Sequence, residues 1–146
     1  MELADEIRIK ADKAKVYAML NDPSVLKACI PGCEELDQTA PNELAAKVVL
    51  KIGPVKAKFA GEVVLDPSGA PDRFSLSGEG KGGVAGFAKG GADVTLTEDG
   101  DETVLAYMAR ADIGGKIAQL GSRLVAGTAK RLSGEFFEKF ATHVEA

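Results

Sequence analysis

Apolar side chains alternate with polar ones through most of the chain, and the rhythm changes only near the two ends. In "VKAKFAGEVVL", Val55, Ala57, Phe59, Gly61, Val63 and Leu65 share one face, while Lys56, Lys58 and Glu62 take the other. A period of two belongs to a strand with one buried and one solvated face. The same alternation runs through "ELADEIRIK", "EELDQTA", "ELAAKVVLKI" (Leu44, Ala46, Val48, Leu50, Ile52), "RFSLSGEGK" (Phe74, Leu76), "FAKGGADVTLTE" and "ETVLAYMARADI". Breaks at Pro41-Asn42, Gly53-Pro54, "DPSGAPD" and Asp99-Gly100 separate these strands. Helical spacing appears in "ADKAKVYAMLND", where Val16, Met19 and Leu20 form the apolar side and Asp12 is placed as an N-cap. "SVLKAC" reads as a second short helix, stopped by Ile30-Pro31-Gly32. From "GGKIAQL" onward, Ile117, Leu120, Leu124, Thr128, Leu132, Phe136 and Phe140 recur every three or four residues. That predicts one helix of about 30 residues, roughly 45 Å long.

The predicted order is strand, two short helices, six meandering strands and one long helix. An antiparallel sheet with one apolar face needs a cover, and its twist curls it around the only large element available. The expected architecture is α+β of the helix-grip type. A curved antiparallel sheet of about seven strands wraps the C-terminal helix, in a single domain spanning residues 1–146.

Composition qualifies what lies between sheet and helix. The chain has 22 Ala and 17 Gly, but only 6 Phe, 2 Tyr and no Trp. Interiors pack to crystal-like density, so small residues must be offset by large ones. Inward positions mix Phe59, Leu76 and Tyr107 with Ala46, Ala57, Gly61, Ala109 and Ala111, and the helix adds Ala118, Gly121 and Gly127. Two outcomes are open at this point: a close sheet–helix approach with a filled core, or an apolar cavity of the kind that takes small molecules.

A net charge of −4 argues against nucleic acid as a partner, which would require a basic field. "MELADEIRIK" lacks the apolar core of a signal peptide, and no segment approaches the roughly 20 apolar residues of a membrane span. The chain therefore reads as soluble and cytoplasmic, where a structural disulfide is not expected.

The motifs of kinds that carry chemistry elsewhere mostly reduce to structure. "GEGKGG", residues 78–83, matches a nucleotide-binding pattern but leads into a strand instead of opening a helix, so it reads as a glycine-rich bend. His143 is the only histidine and stands near the C-terminus, which leaves no histidine-based triad or multi-histidine metal site. Glu34 and Glu35 point to opposite faces of a strand, so they cannot act as an acid–base pair and read, with Asp37, as a solvated strand end. "CIPGC" holds the only two cysteines. Half a zinc ligand set at the C-terminal end of a helix suits neither a structural zinc nor a redox pair, so Cys29 and Cys33 read as small apolar residues beside a turn.

Four blocks, "LKACIPGCEEL", "KIGPVKAKFAGEV", "GEGKGGVAGFAKGGADVTL" and "GGKIAQLGSRLVAGTAKRLSGEFF", carry a resemblance to the carbon monoxide dehydrogenase G-subunit (CoxG-like) family, within the START-like (SRPBCC) superfamily. The resemblance runs in order over nearly the whole chain. It implies a helix-grip fold enclosing a hydrophobic ligand. It also implies an accessory role beside a molybdenum hydroxylase of the carbon monoxide dehydrogenase type, in attaching that enzyme to the membrane and handling its lipophilic quinone acceptor. The molybdenum, flavin and iron–sulfur centres are expected in the partner, since this chain has no ligand set for them. Some members carry an extension after the long helix; this chain ends at "ATHVEA", and an anchor of that kind is not expected in it.

The expected protein is thus a non-enzymatic carrier of a quinone or other lipid, without a tightly bound cofactor or metal. It would be cytoplasmic, or peripheral at the cytoplasmic face of the inner membrane. Expected lining residues are Phe59, Leu76, Phe87, Tyr107, Ile117, Leu120 and Leu124, with Tyr107 or Ser122 as polar groups. One rival is an adaptor with a solid interior that recruits the hydroxylase to the membrane. Another is a small enzyme of the cyclase or hydratase type, which would need acid–base residues where the inward positions are nearly all apolar.

Overall fold

The computed structural model describes residues 1–146. Seven strands form one antiparallel sheet: β1 (Glu2–Ile9), β2 (Cys33–Ala40), β3 (Glu43–Ile52), β4 (Val55–Asp66), β5 (Arg73–Lys81), β6 (Phe87–Asp99) and β7 (Glu102–Gly114). Their order is β1-β7-β6-β5-β4-β3-β2, so β1 and β2 are the edges. The helices are α1 (Lys13–Leu20), α2 (Pro23–Cys29) and α3 (Ser122–Glu145). This is the expected α+β helix-grip arrangement.

Local chemistry explains the boundaries. The Asp12 carboxylate accepts the Lys15 N–H at 2.7 Å and caps α1. Asp22 does the same for α2 through Ser24, with Pro23 in the first helical turn, where its missing N–H costs nothing. Hydrogen bonding to Ser24 holds the Asp22 carboxyl below its ordinary range. "CIPGC" turns the chain from α2 into β2. Gly32 has φ +74°, and a Cβ there would lie 2.1 Å from the Val49 carbonyl oxygen. The Val49 N–H donates to the Gly32 carbonyl at 2.9 Å, so this glycine fixes the turn against β3.

The register is continuous from β3 to β7 and aligns the inward residues in rows. Leu44 faces Val63, Leu65 faces Leu76, Leu76 faces Ala92, and Ala92 faces Ala109. The rows become thin near the middle, where Ala46 faces Gly61 and Gly61 faces Gly80.

The final helix departs from the expected single rod. Residues Lys116–Leu120 form a separate 3-10 turn, and α3 begins only at Ser122. Between them Gly121 takes φ +98°, ψ 147°, a conformation outside the helical region and open to glycine. At 1.5 Å per residue the 24 residues of α3 span about 36 Å, not 45 Å.

Two apolar clusters sit at opposite ends of the interior. The larger contains Ile9, Val16, Val25, Cys29, Phe74, Val94, Leu96, Leu105, Phe140 and Val144. It joins α1, α2 and the C-terminal half of α3 to the sheet. The smaller contains Ile52, Phe59, Ala85 and Ile117. It seals the end where the β3–β4 turn, the β5–β6 connection and the 3-10 turn before α3 meet. Thr103, fully buried, donates its hydroxyl to the Ala11 carbonyl at 2.7 Å and leaves no orphaned polar group.

Candidate ligand cavity

Between the clusters lies a cavity of about 620 Å³ with 18 of its 23 lining residues hydrophobic. Its floor is the row of inward strand residues: Leu44, Ala46, Val63, Leu65, Leu76, Ala92 and Ala109. One wall comes from Tyr17 and Leu20 of α1, Leu26 of α2, and Ile30. Ser133, Phe136 and Phe137 of α3 form the cover. The small side chains of Ala46, Ala92 and Ala109 on the floor keep this space open.

The aromatic residues are fixed by one another. Tyr17 meets Phe74 edge-on with ring centroids 5.5 Å apart, and Tyr107 stacks on Phe137 at 5.2 Å. Phe136 packs edge-on to Phe137 at 4.9 Å and stacks with Phe140 at 5.9 Å. Both tyrosines of the chain therefore line the cavity.

Polar groups are few: Asn21, whose amide donates to the Tyr17 carbonyl at 2.9 Å, and groups at two further places. On the α3 side, Ser133 lies beside the Tyr107 phenol, both residues half-buried. Burial pushes that phenol above its ordinary range, with Ser133 acting in the opposite direction. Toward solvent, Gln38, Asn42 and Glu43 are exposed and cluster at the β2–β3 hairpin, which marks the mouth. Asn42 has φ +71°, an uncommon backbone for a residue with a side chain, though one asparagine tolerates better than most. Glu43 is the only charged lining residue. The arrangement can hold an apolar body and offer hydrogen bonds near Tyr107 and at the rim; it places no carboxylate or imidazole at depth.

The expected lining residues separate into groups. Leu76 and Tyr107 line the cavity. Phe59 and Ile117 lie instead in the smaller cluster, with Leu120 packed against it. Leu124 is exposed and, with Leu120, borders a shallow outer groove. Ser122 is exposed at the start of α3, and Ser133 takes the position beside Tyr107. Phe87 stands outside the cavity, 44% exposed. Uninterrupted pairing puts it on the same face as Lys89 and Asp93, where its ring covers Gly114 across the strand pair. The break at Gly121 explains part of this sorting, because it uncouples Ile117 and Leu120 from the face of α3. The α1–α2 wall and Phe136-Phe137 were not among the expected residues, although Phe136 sits on the predicted apolar stripe of the helix.

The smaller motifs are structural here. His143 is exposed. "GEGKGG" is the end of β5 and the bend before β6. Glu34 and Glu35 form exposed ion pairs with Lys58 and Lys47 respectively. Cys29 is fully buried in the larger cluster, and the Cys33 thiol donates to the Glu35 carbonyl at 3.3 Å. Burial pushes both thiols upward, away from the thiolate form that metal binding and redox exchange need. No group of three or more His, Cys, Asp or Glu is placed to hold a metal ion. Replacing both residues, Cys29→Ser with Cys33→Ser, is expected to leave metal content by elemental analysis unchanged. It should lower stability by about 1–3 kcal/mol, because a hydroxyl at position 29 enters an apolar cluster. Stoichiometric zinc present in the parent and absent from the double variant would reverse this assignment.

A helix gripped by a curved sheet over an apolar chamber defines the START-like class. Solved structures agree on the fold. A conserved protein from Geobacillus kaustophilus superimposes with a TM-score of 0.93 at 30% identity, covering 99% of this chain and 95% of its own. A START superfamily protein from Mycobacterium smegmatis gives 0.74 at 15% identity, with 99% and 97% covered. The ZhuI aromatase/cyclase from Streptomyces sp. R1128 gives 0.73 at 12%, with 99% and 93% covered. The last two likenesses concern the fold alone. No functionally curated protein matches the sequence. The CoxG family, the G-subunit family of carbon monoxide dehydrogenase, matches residues 6–145, and the chain belongs to that family. CoxG is an accessory-subunit family whose name ties it to carbon monoxide dehydrogenase.

Proposed function

We propose that this protein carries a lipophilic ligand, a quinone or a similarly built lipid, for a molybdenum hydroxylase of the carbon monoxide dehydrogenase type. The observation that carries the reading is the apolar cavity of about 620 Å³, within the usual 300–1,000 Å³ range for small-molecule sites. Removing apolar ligand surface from water at about 25 cal/mol per Å² would supply most of the affinity. The Tyr107 and Ser133 side chains, together with the amides of Gln38 and Asn42, offer hydrogen bonds to a ligand's few oxygens. The CoxG membership supports the hydroxylase as partner. The absence of charged or imidazole side chains from the depth of the cavity favours carriage over catalysis, despite the fold likeness to an aromatase/cyclase.

The two tyrosines supply the test. With no tryptophan in the chain, intrinsic fluorescence comes from Tyr17 and Tyr107, both in the cavity wall. A short-chain quinone titrated into the protein should quench that emission saturably. Lipid extraction from protein purified out of a quinone-containing host should release a stoichiometric lipophile detectable by mass spectrometry. Unchanged emission together with an empty extract would sink carriage and leave the adaptor reading, in which the family partner is bound without any ligand.

A further inference from the structure

The cavity is not uniform from one side to the other. Its floor crosses β7, β6, β5, β4 and β3, four steps of about 4.8 Å each, or about 19 Å. The aromatic lining residues are Tyr17 of α1, Phe74 of β5, Tyr107 of β7, and Phe136 and Phe137 of α3. Register groups them: Phe74 faces Val94, Val94 faces Tyr107, and the Tyr107 ring stacks on Phe137. The stretch beside the mouth is different. There α2, the turn after it and strands β2 to β4 supply Leu26, Ile30, Leu36, Leu44 and Val63, with no aromatic ring.

Polarity divides in the same sense. At the aromatic side, the half-buried hydroxyls of Tyr107 and Ser133 can donate to a ligand oxygen. At the mouth, the Glu43 carboxylate can only accept, so it disfavours a ring carbonyl beside it. Gln38 and Asn42 are exposed, and a bond from either exchanges one water for one ligand oxygen, with little net gain. No Lys, Arg or His lines the cavity, so a carboxylate or phosphate head finds no counter-ion at either side. Size adds a third constraint. At about 30 Å³ for a water-sized group, about 620 Å³ takes about 20 non-hydrogen atoms. That is a substituted ring with one or two five-carbon prenyl units.

We infer that the cavity orients its ligand: a neutral molecule with a flat oxygenated ring and an aliphatic chain, the ring against Tyr107, Ser133 and Phe137, the chain running past Val63 and Leu44 to the β2–β3 hairpin. The inference rests on the carriage reading and adds to it an orientation, a length limit and a charge rule. The ring gains from aromatic faces held in fixed geometry. Its oxygen gains a hydrogen bond where the surroundings are apolar, which strengthens the bond. The first chain units lie on aliphatic side chains, and further units leave through the mouth. A long-chained ligand is therefore held by its ring end.

Photolabelling with a 1,4-benzoquinone tests the orientation directly. An azide on the ring should mark residues 105–109 or 133–137, and an azide at the chain end residues 36–44, as mapped by mass spectrometry of the digested protein. Titrations with zero, one, two or four prenyl units test the length limit. Affinity should rise at least about tenfold from the bare ring to two units, and less than about threefold from two to four. Tyr107→Phe, which leaves Tyr17 as the emitter, should weaken the two-unit quinone about three- to tenfold. The same variant should bind the matching prenylated benzene, which has no oxygen, as the parent does. Palmitate should fail to displace the quinone. Exchanged labels, or equal labelling of both regions by both probes, would overturn the orientation. Affinity still climbing at four units would overturn the length limit, and displacement by palmitate the charge rule. Failure of every quinone to bind is a separate result, which removes carriage itself and this inference with it.

Discussion

Ala92→Phe should abolish quenching of tyrosine emission by a short-chain quinone, weakening binding at least about 100-fold, or about 2.7 kcal/mol, while the melting temperature stays level or rises. Ala92 lies on the cavity floor between Leu76 and Ala109, its partners on β5 and β7. A phenyl ring added there fills space that a ligand would occupy. Enlarging a side chain in a packed core costs about 1–3 kcal/mol through displaced neighbours. Here the ring enters a void and gains contacts with Leu76 and Tyr107, on a strand where aromatic residues are favoured. Titration and thermal unfolding together decide the matter. Undiminished binding with a melting temperature lowered by several degrees would mean that the space is filled by protein.

Phe140→Ala should have the opposite signature, a large loss of stability with a ligand site still formed in the folded fraction. Phe140 is fully buried and stacks on Phe136 in the cluster that joins α3 to α1, α2 and the sheet. Truncating a buried phenylalanine costs about 3–5 kcal/mol, a large part of the 5–15 kcal/mol available to a domain. For a chain of this size the melting temperature should fall by about 10–15 °C. A drop of only about 2–3 °C in calorimetry would show that the larger cluster is not the main source of stability.

The strands were legible in the sequence because their alternation is nearly unbroken, and a period of two leaves little choice of face once one strand is oriented. The caps and turns were legible for chemical reasons, as at Asp12 and Ile30-Pro31-Gly32. The cavity floor followed from register: Leu76 and Tyr107 reach it by parity alone. Phe87 did not, because the glycines before it conceal where strand pairing resumes, and pairing resumes with its ring on the outer face over Gly114. Ile117 and Leu120 continued the helical stripe in the sequence, yet Gly121 adopts a left-handed φ that only the folded chain reveals. The α1–α2 wall was least visible. Helices of 8 and 7 residues show too few turns for an apolar stripe to declare its direction. Tyr17 and Leu26 are assigned to the cavity by tertiary packing.

The larger cluster and the cavity share only Phe74, Val94 and Leu105, which has a consequence for how such a protein changes over generations. Ile9, Val16, Phe140 and Val144 hold the chain together at one side and do not line the cavity, while Ala46, Ala92 and Ala109 face open space. A methyl or ring gained at one of those alanines reshapes the chamber at a position outside that cluster. Selectivity can drift by single substitutions across a nearly neutral landscape, and descendants of one ancestor can acquire different cargoes while melting at the same temperature.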